Sequence, residues 1–159
     1  MSAVQIEYSL WTRDVEDEIL DLCQELGIGF VAYSPLGHGF LTGTITGRDA
    51  LRAGDARLRM PRFQEENMRR NLALVAELRR LAEVEGCTSA QLALARVLSR
   101  GRSIVPIAGT SHVRWLEENT VAADVRISAA TQSALERIFR PGAAAGPRYP
   151  DLFSKTLGI

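Results

Sequence analysis

The sequence has 159 residues, 46% of them apolar and 24% charged, which is the balance of one soluble globular domain with a real core. Its formal net charge is +0, from 19 basic and 19 acidic side chains, so nothing points to a nucleic-acid or anionic-membrane partner. No apolar run approaches membrane-spanning length, and the start MSAVQIEYSL lacks the basic opening and apolar core of a signal peptide, so a cytoplasmic location is expected.

The chain opens on a short apolar and aromatic run, Ala3 to Tyr8, consistent with a strand. Asp14 is placed to cap a helix to about Leu26, with Val15, Ile19, Leu22, Cys23 and Leu26 on one face and Gly27 as its stop. Cys23 on that face and Cys87 further on stand in unrelated contexts and read as reduced packing thiols. Ile28 to Tyr33 is a second apolar run, long enough for a buried strand and too short for a helix. From Ser34 to about Arg62 there is little periodicity, and a loop of that length is usually functional or disordered.

Helical spacing returns over Gln64 to Glu85, with the stripe Leu74, Val75, Leu78, Leu81 and Ala82. Thr88 and Gln91 have capping-box spacing and open SAQLALARVLS, apolar nearly all round and therefore a buried helix. Ser103 to Ile107 is the third strand. Ser111 is placed to cap a helix over Val113 to Ala123, and Ser128 another to about Phe139. The end, PGAAAGPRYPDLFSKTLGI, reads as an irregular tail.

Strands alternating with helices predict a parallel sheet with right-handed crossovers and a ligand at the strands' C-terminal ends. Three strands make a poor open sheet, and a closed (β/α)8 barrel needs about 250 residues. The chain therefore reads as part of a barrel.

Three ordered blocks, VQIEYSLWTRDVE, GIGFVAYSPLGHGFLTG and SIVPIAGTSHVRWLEEN, resemble the last three strand-and-loop units of the aldo-keto reductases. The segment RMPRFQEENMRRNLALVAELRRLAEVEGCTSAQLALARVL resembles the bacterial branch of that family, and the likeness runs from Val4 to about Phe139. It implies an α/β fold: a partial TIM barrel of the last three strand–helix units, with helices on the outer face. Residues 1–140 are then the C-terminal part of an oxidoreductase that moves hydride between NADP(H) and an aldehyde or ketone, and 141–159 are a tail.

By that resemblance Gln5 holds the nicotinamide carboxamide and Tyr33 stacks on its ring. Ser34, Pro35, Leu36, Gly37 and His38 wrap the pyrophosphate, and Leu41, Gly43 and Thr44 continue the wall. Gly109, Thr110, Ser111 and His112 receive the adenosine 2′-phosphate at a helix start. Glu118 and Asn119 bind the adenine, and Trp115 either stacks on it or packs against the barrel. The 2′-phosphate loop departs from the family in lacking a basic residue at its usual place, the nearest candidates being His112 and Arg114.

Read without the resemblance, these residues have plainer roles. Gly37, Gly39 and Gly43 read GxGxxxG, one residue longer in the second gap than the dinucleotide-binding GxGxxG, which suits a structural loop. Tyr33 suits a strand-end core aromatic, and Trp11 and Arg13 suit either a substrate loop or the rim. The family's catalytic Asp, Tyr, Lys and His lie on earlier strands, so no catalytic residue and no metal site is expected here. The partner is a small-molecule carbonyl in the complete enzyme, and the isolated chain is expected to self-associate. The alternative is an inactive nucleotide-binding or interaction module derived from the same family.

Overall fold

A computed structural model describes residues 2–150. Three parallel strands, β1 (Ala3–Glu7), β2 (Gly29–Tyr33) and β3 (Ile104–Ile107), lie side by side in that order. Gln5 pairs with Val31 and Glu7 with Tyr33, which in turn faces Ile107 across β2 and β3. The strand ends that carry Glu7, Tyr33 and Ile107 are therefore level at the C-terminal edge of the sheet.

Alternation along each strand gives the sheet two different faces. Phe30, Ala32 and Ile104 point to one side, where Val4 and Ile6 join them against Leu20, Cys23 and Val97 from helices α1 (Ile19–Glu25) and α3 (Ser89–Leu98). Gln5, Glu7, Val31, Tyr33, Val105 and Ile107 share the opposite side, the inner face of the curved layer expected above. No helix covers it among the described residues, and Val105 and Ile107 remain 56% and 45% exposed.

A second core lies beyond the first. Helix α2 (Glu65–Val84) contributes Met68, Val75, Leu78 and Leu81, and α5 (Ala129–Ile138) contributes Leu135. Phe40, Leu41, Ile45, Leu51 and Phe63 enter it from the long segment after β2. That segment is neither bare loop nor disorder: four short 3-10 turns carry its apolar residues inward.

The expected helix starting at Asp14 is broken. A 3-10 turn (Asp14–Glu16) precedes α1, and Asp14 and Glu16 are drawn into long-range ion pairs instead of capping it. The later start turns Ile19, Leu20 and Cys23 inward and leaves Leu22 and Leu26 exposed. Helix α4 (Val113–Val121) begins at His112, not Ser111; the Thr110 hydroxyl accepts from the His112 N–H at 3.1 Å. At Thr88–Gln91 both bonds of the capping box form, at 3.2 and 3.0 Å, and Ser128 caps α5 through the Thr131 N–H. The part of the tail within the described residues, 141–150, is irregular yet folded back onto the body; residues 151–159 lie outside the described residues.

Behind the sheet a charged cluster is enclosed. Arg96, 2% exposed on α3, pairs with Glu16 at 3.3 Å and Glu136 at 2.5 Å. Arg13 binds the same two carboxylates and donates to the Phe139 carbonyl at 2.9 Å, and the Tyr8 hydroxyl donates to Glu16 at 2.6 Å. Burial alone would raise the Glu16 carboxyl; its bonds to Arg13 and Tyr8 and the charges of Arg96 and Arg13 outweigh that and hold it below its ordinary value.

Two outcomes follow from this architecture. Arg96→Ala leaves Arg13 as the one guanidinium on Glu16 and Glu136 and should cost about 1.5–3 kcal/mol in denaturant unfolding. A depressed folded pKa stabilises above the ordinary value near 4.5, and that stability is lost as pH falls through the folded value. Acid unfolding of the wild type should therefore contain a Glu16 component that shrinks in Arg96→Ala. The open inner face and two free strand edges should also make the 159-residue chain self-associate and bind ANS. A monodisperse, ANS-dark monomer in sedimentation velocity would contradict this.

Candidate functional site

A cleft of about 420 Å³ opens at the C-terminal edge of the sheet. One wall is the loop after β2, with Ser34, Pro35, Leu36, His38 and Thr44; the other is the β3–α4 junction, with Gly109, Thr110, Trp115, Glu118 and Asn119. Ile107, Ala108 and Ala90 complete the floor together with Ile45. Two loops separated by some seventy positions in the chain thus converge because β2 and β3 are hydrogen-bonded neighbours.

The first wall has an unusual backbone. Ser34 and His38 take left-handed φ values of 49° and 56°, and Gly37, Gly39 and Gly43 join them at 56°, 89° and 75°. For a non-glycine residue that conformation costs about 1–2 kcal/mol, so the fold holds it with specific contacts. Gly37 N–H donates to the Ser34 carbonyl at 2.9 Å and Gly39 N–H to the Leu36 carbonyl at 3.0 Å. A Cβ on Gly37 would meet the Trp11 ring at 3.2 Å, so the position needs glycine for space as well as for φ.

Arg57 is the side chain that fixes this wall from outside. Its guanidinium forms a fork on Asp55, at 2.7 and 3.0 Å, and donates to the His38 carbonyl at 3.1 Å while lining the cleft. The bonds from Arg57 hold the Asp55 carboxyl down at about 2. Sequence reading passed over Arg57 because it lies in the segment without periodicity; only its position in an arginine-bearing stretch beside a glycine-rich loop hinted at it.

His38 turns its imidazole toward the same space. Its buried Nε2 has no hydrogen-bond partner. Burial pushes the ring below its ordinary value; the Glu7 charge opposes this, and the charges of Arg62 and Arg57 reinforce it. The ring is therefore neutral, and its Nε2 is enclosed without a partner in the body of the wall.

The other expected residues divide by placement. Gln5 is exposed and Tyr33 half-buried on the inner face beside the cleft. Leu41 is a core residue with no exposed surface, so its side chain makes wall only from behind; Gly43 is likewise buried, its carbonyl taken by Arg79 at 2.9 Å. Ser111 and His112 sit on the exposed rim, bonded to each other at 3.2 Å. The Arg114 guanidinium lies 4.1 Å from the Trp115 ring centroid, giving the second wall a cation on an aromatic shelf. Glu118 accepts from the Thr88 hydroxyl at 2.7 Å, tying α4 to α3.

Trp11 and Arg13 are packed inside the protein and do not line the cleft. Trp11 is buried with its ring 4.6 Å from that of Phe40, and Arg13 is in the ion cluster behind the sheet. Sequence reading also missed Glu7, completely buried at the end of β1, where the Thr12 hydroxyl donates to it at 2.8 Å.

The model of the Aldo/keto reductase family matches residues 1–140. The chain is 44% identical to a protein named probable aldo-keto reductase 1 from Glycine max, over 94% of this chain and 43% of that protein. Its fold is similar to that of a glycerol dehydrogenase from Gluconobacter oxydans, with TM-score 0.78 and 24% identity over 86% of this chain and 41% of that one. It is also similar to an aldo-keto reductase from Klebsiella pneumoniae solved in complex with NADPH, with TM-score 0.63 and 22% identity over 94% and 43% of the two chains. The chain spans about two-fifths of the length of these relatives.

The Asp55–Arg57 fork yields a direct test of the first wall. A carboxyl ¹³C titration should place Asp55 near 2 in the wild type and return it toward its ordinary 3.8 in Arg57→Ala. An unchanged midpoint would mean that the fork does not form in solution.

Proposed function

The chain belongs to the Aldo/keto reductase family, and from that premise we propose that it is the cofactor-clamping C-terminal part of an NADP(H)-dependent carbonyl oxidoreductase. The observation that carries this reading is the convergence of the Ser34–Thr44 and Gly109–Asn119 walls on one cleft at the strands' C-terminal edge. Ligands of parallel α/β folds bind at that edge. The NADPH held by the Klebsiella pneumoniae relative makes a nicotinamide cofactor the natural occupant.

The residues present fit such a cofactor. The Arg57 charge and the left-handed, glycine-rich backbone of the loop suit a phosphate-bearing ligand at the first wall. Arg114 and the Ser111–His112 rim provide for an adenosine 2′-phosphate, and the Trp115 ring for a base. Gln5 and Tyr33, diagonal neighbours on one face of adjacent strands, offer an amide to a carboxamide and an aromatic surface to a ring. When bound, the cofactor supplies hydride to a carbonyl carbon.

In this reading the chain binds and orients and does not itself donate the proton. The carbonyl oxygen must be protonated as hydride arrives, which calls for a positioned acid. Each of the three tyrosines has another role: Tyr8 donates to Glu16 behind the sheet, Tyr149 donates to Glu7, and Tyr33 is the ring assigned to stacking. The one lysine of the sequence is Lys155. We assign the acid and its tuning partners to the remainder of a complete barrel, and the substrate to the aldehydes and ketones.

Two measurements test the proposal. The chain alone should bind NADPH weakly and should not oxidise it with 4-nitrobenzaldehyde; chain-dependent turnover by a pure sample would refute the division of labour. Tyr33→Ala should reduce nicotinamide fluorescence quenching, and Ser111→Asp should weaken NADP more than NAD by placing charge at the 2′-phosphate rim. Equal losses for both nucleotides would remove the adenosine assignment.

A further inference from the structure

The segment after α5 returns across the strand ends and reaches the two residues that flank the proposed nicotinamide seat. Asn71 on α2 anchors it inside the protein, accepting from the Ala145 N–H at 2.7 Å and donating to the Ala145 carbonyl at 3.0 Å. Arg148 then donates to Asp14 at 2.5 Å, and its Nε lies 3.8 Å from Glu7 Oε2. With the chain before it anchored at Ala145 and Arg148, Tyr149 donates its hydroxyl proton to Glu7 Oε2 at 3.1 Å.

Glu7 is the register partner of Tyr33, and the Tyr33 and Tyr149 hydroxyl oxygens are 3.5 Å apart. Because the Tyr149 proton is committed to Glu7, Tyr33 is the donor in that contact. The result is a directed chain from Tyr33 through Tyr149 to a carboxylate whose other oxygen is taken by Thr12 and faced by Arg62 at 3.8 Å. Burial and the Glu7 charge push the Tyr149 phenol above its ordinary value, so it stays protonated and keeps donating to Glu7. The Tyr149 ring also stands edge-on to His38, centroids 6.3 Å apart, and so touches the phosphate wall as well.

We propose that Tyr149 is a positioning residue for the nicotinamide end of the cofactor. Through its hydroxyl it holds the Tyr33 ring at one orientation, and through its edge it keeps the His38 wall in register with that ring. Tyr33 is half-buried on an otherwise uncovered face, where an untethered phenol would turn about its two χ angles. A tether at its far end removes that freedom before the ligand arrives, so less ordering is left to oppose binding. The proposal rests on the cofactor reading of the cleft.

Nicotinamide positioning and general damage can be told apart with two ligands, NADPH and 2′,5′-ADP, which lacks the nicotinamide half. Isothermal titration of the chain should show Tyr149→Phe weakening NADPH about three- to tenfold, the worth of one net hydrogen bond, with 2′,5′-ADP unchanged. Tyr33→Phe should reproduce that loss, and the double variant should lose no more than either single one. Equal losses for both ligands, an unchanged NADPH affinity, or additive losses in the double variant would overturn the assignment. Wild-type chain that binds neither ligand would overturn the cofactor reading itself, and this inference with it.

Discussion

Burying Arg96 constrains everything else in this molecule. A guanidinium buried in the last turn of α3, on a helix whose inward residues are otherwise mostly alanine, leucine and valine, costs several kcal/mol in desolvation unless carboxylates come to it. Two do, from opposite directions: Glu16 from the turn after β1 and Glu136 from α5. Arg13 completes the square and Tyr8 closes it. The chain between β1 and α1 can take only the path that delivers Glu16 and Arg13 to that point. This is why the helix expected from Asp14 gives way to a 3-10 turn and a later start. The same path sets Thr12 beside Glu7, so the cluster behind the sheet and the strand end at its mouth are built by one stretch of six residues, 11–16.

The sheet is finished on one side and open on the other, and that asymmetry explains where binding can occur. Apolar alternation packs Phe30, Ala32 and Ile104 against helices, which uses up the hydrophobic face. The inner face keeps Gln5, Glu7 and Tyr33 among Val31, Val105 and Ile107, a mixture that neither a dry core nor bare solvent suits. The polar members all lie toward the C-terminal edge, where the loops add their own donors. A family relationship to closed barrels accounts for the mixture, since the mouth of a barrel must be polar and its interior filled.

Local signals were legible from sequence and long-range ones were not. The three strands, the Thr88–Gln91 capping box and the Ser128 cap depend on neighbours within a few positions, and the structure forms them. The cleft walls were legible through a resemblance, which carries long-range information that periodicity does not. Leu41 and Gly43 belonged to the same quoted motif, yet Leu41 fills the core and Gly43 is buried beside α3. A motif records which residues recur near a ligand without saying which of them touch it. Arg57, Glu7, Asn71 and Tyr149 went unread because each acts on a partner well away in sequence or in unpatterned chain. An exposed-looking arginine or a Pro/Gly-rich tail has no local feature that announces burial.

Arg57 shows how the cleft divides support from recognition. Three of its five N–H donors are engaged, two on Asp55 and one on the His38 carbonyl. Its geometry therefore serves the loop: it braces the backbone where Ser34 and His38 hold left-handed conformations, strain that the loop could not keep without support. Its charge is not spent to the same degree. Asp55 offsets it from the side, while the guanidinium still borders the cleft. A phosphate at that wall would feel this field, and backbone N–H groups of the loop would add hydrogen bonds to it. Arg114 is arranged the other way, with its guanidinium over the Trp115 ring and no carboxylate partner among the described contacts. One arginine thus shapes its wall and the other keeps its donors for a ligand, so the two ends of the cleft differ in how they would hold an anion: the first by a braced, left-handed loop, the second by a cation over an aromatic ring.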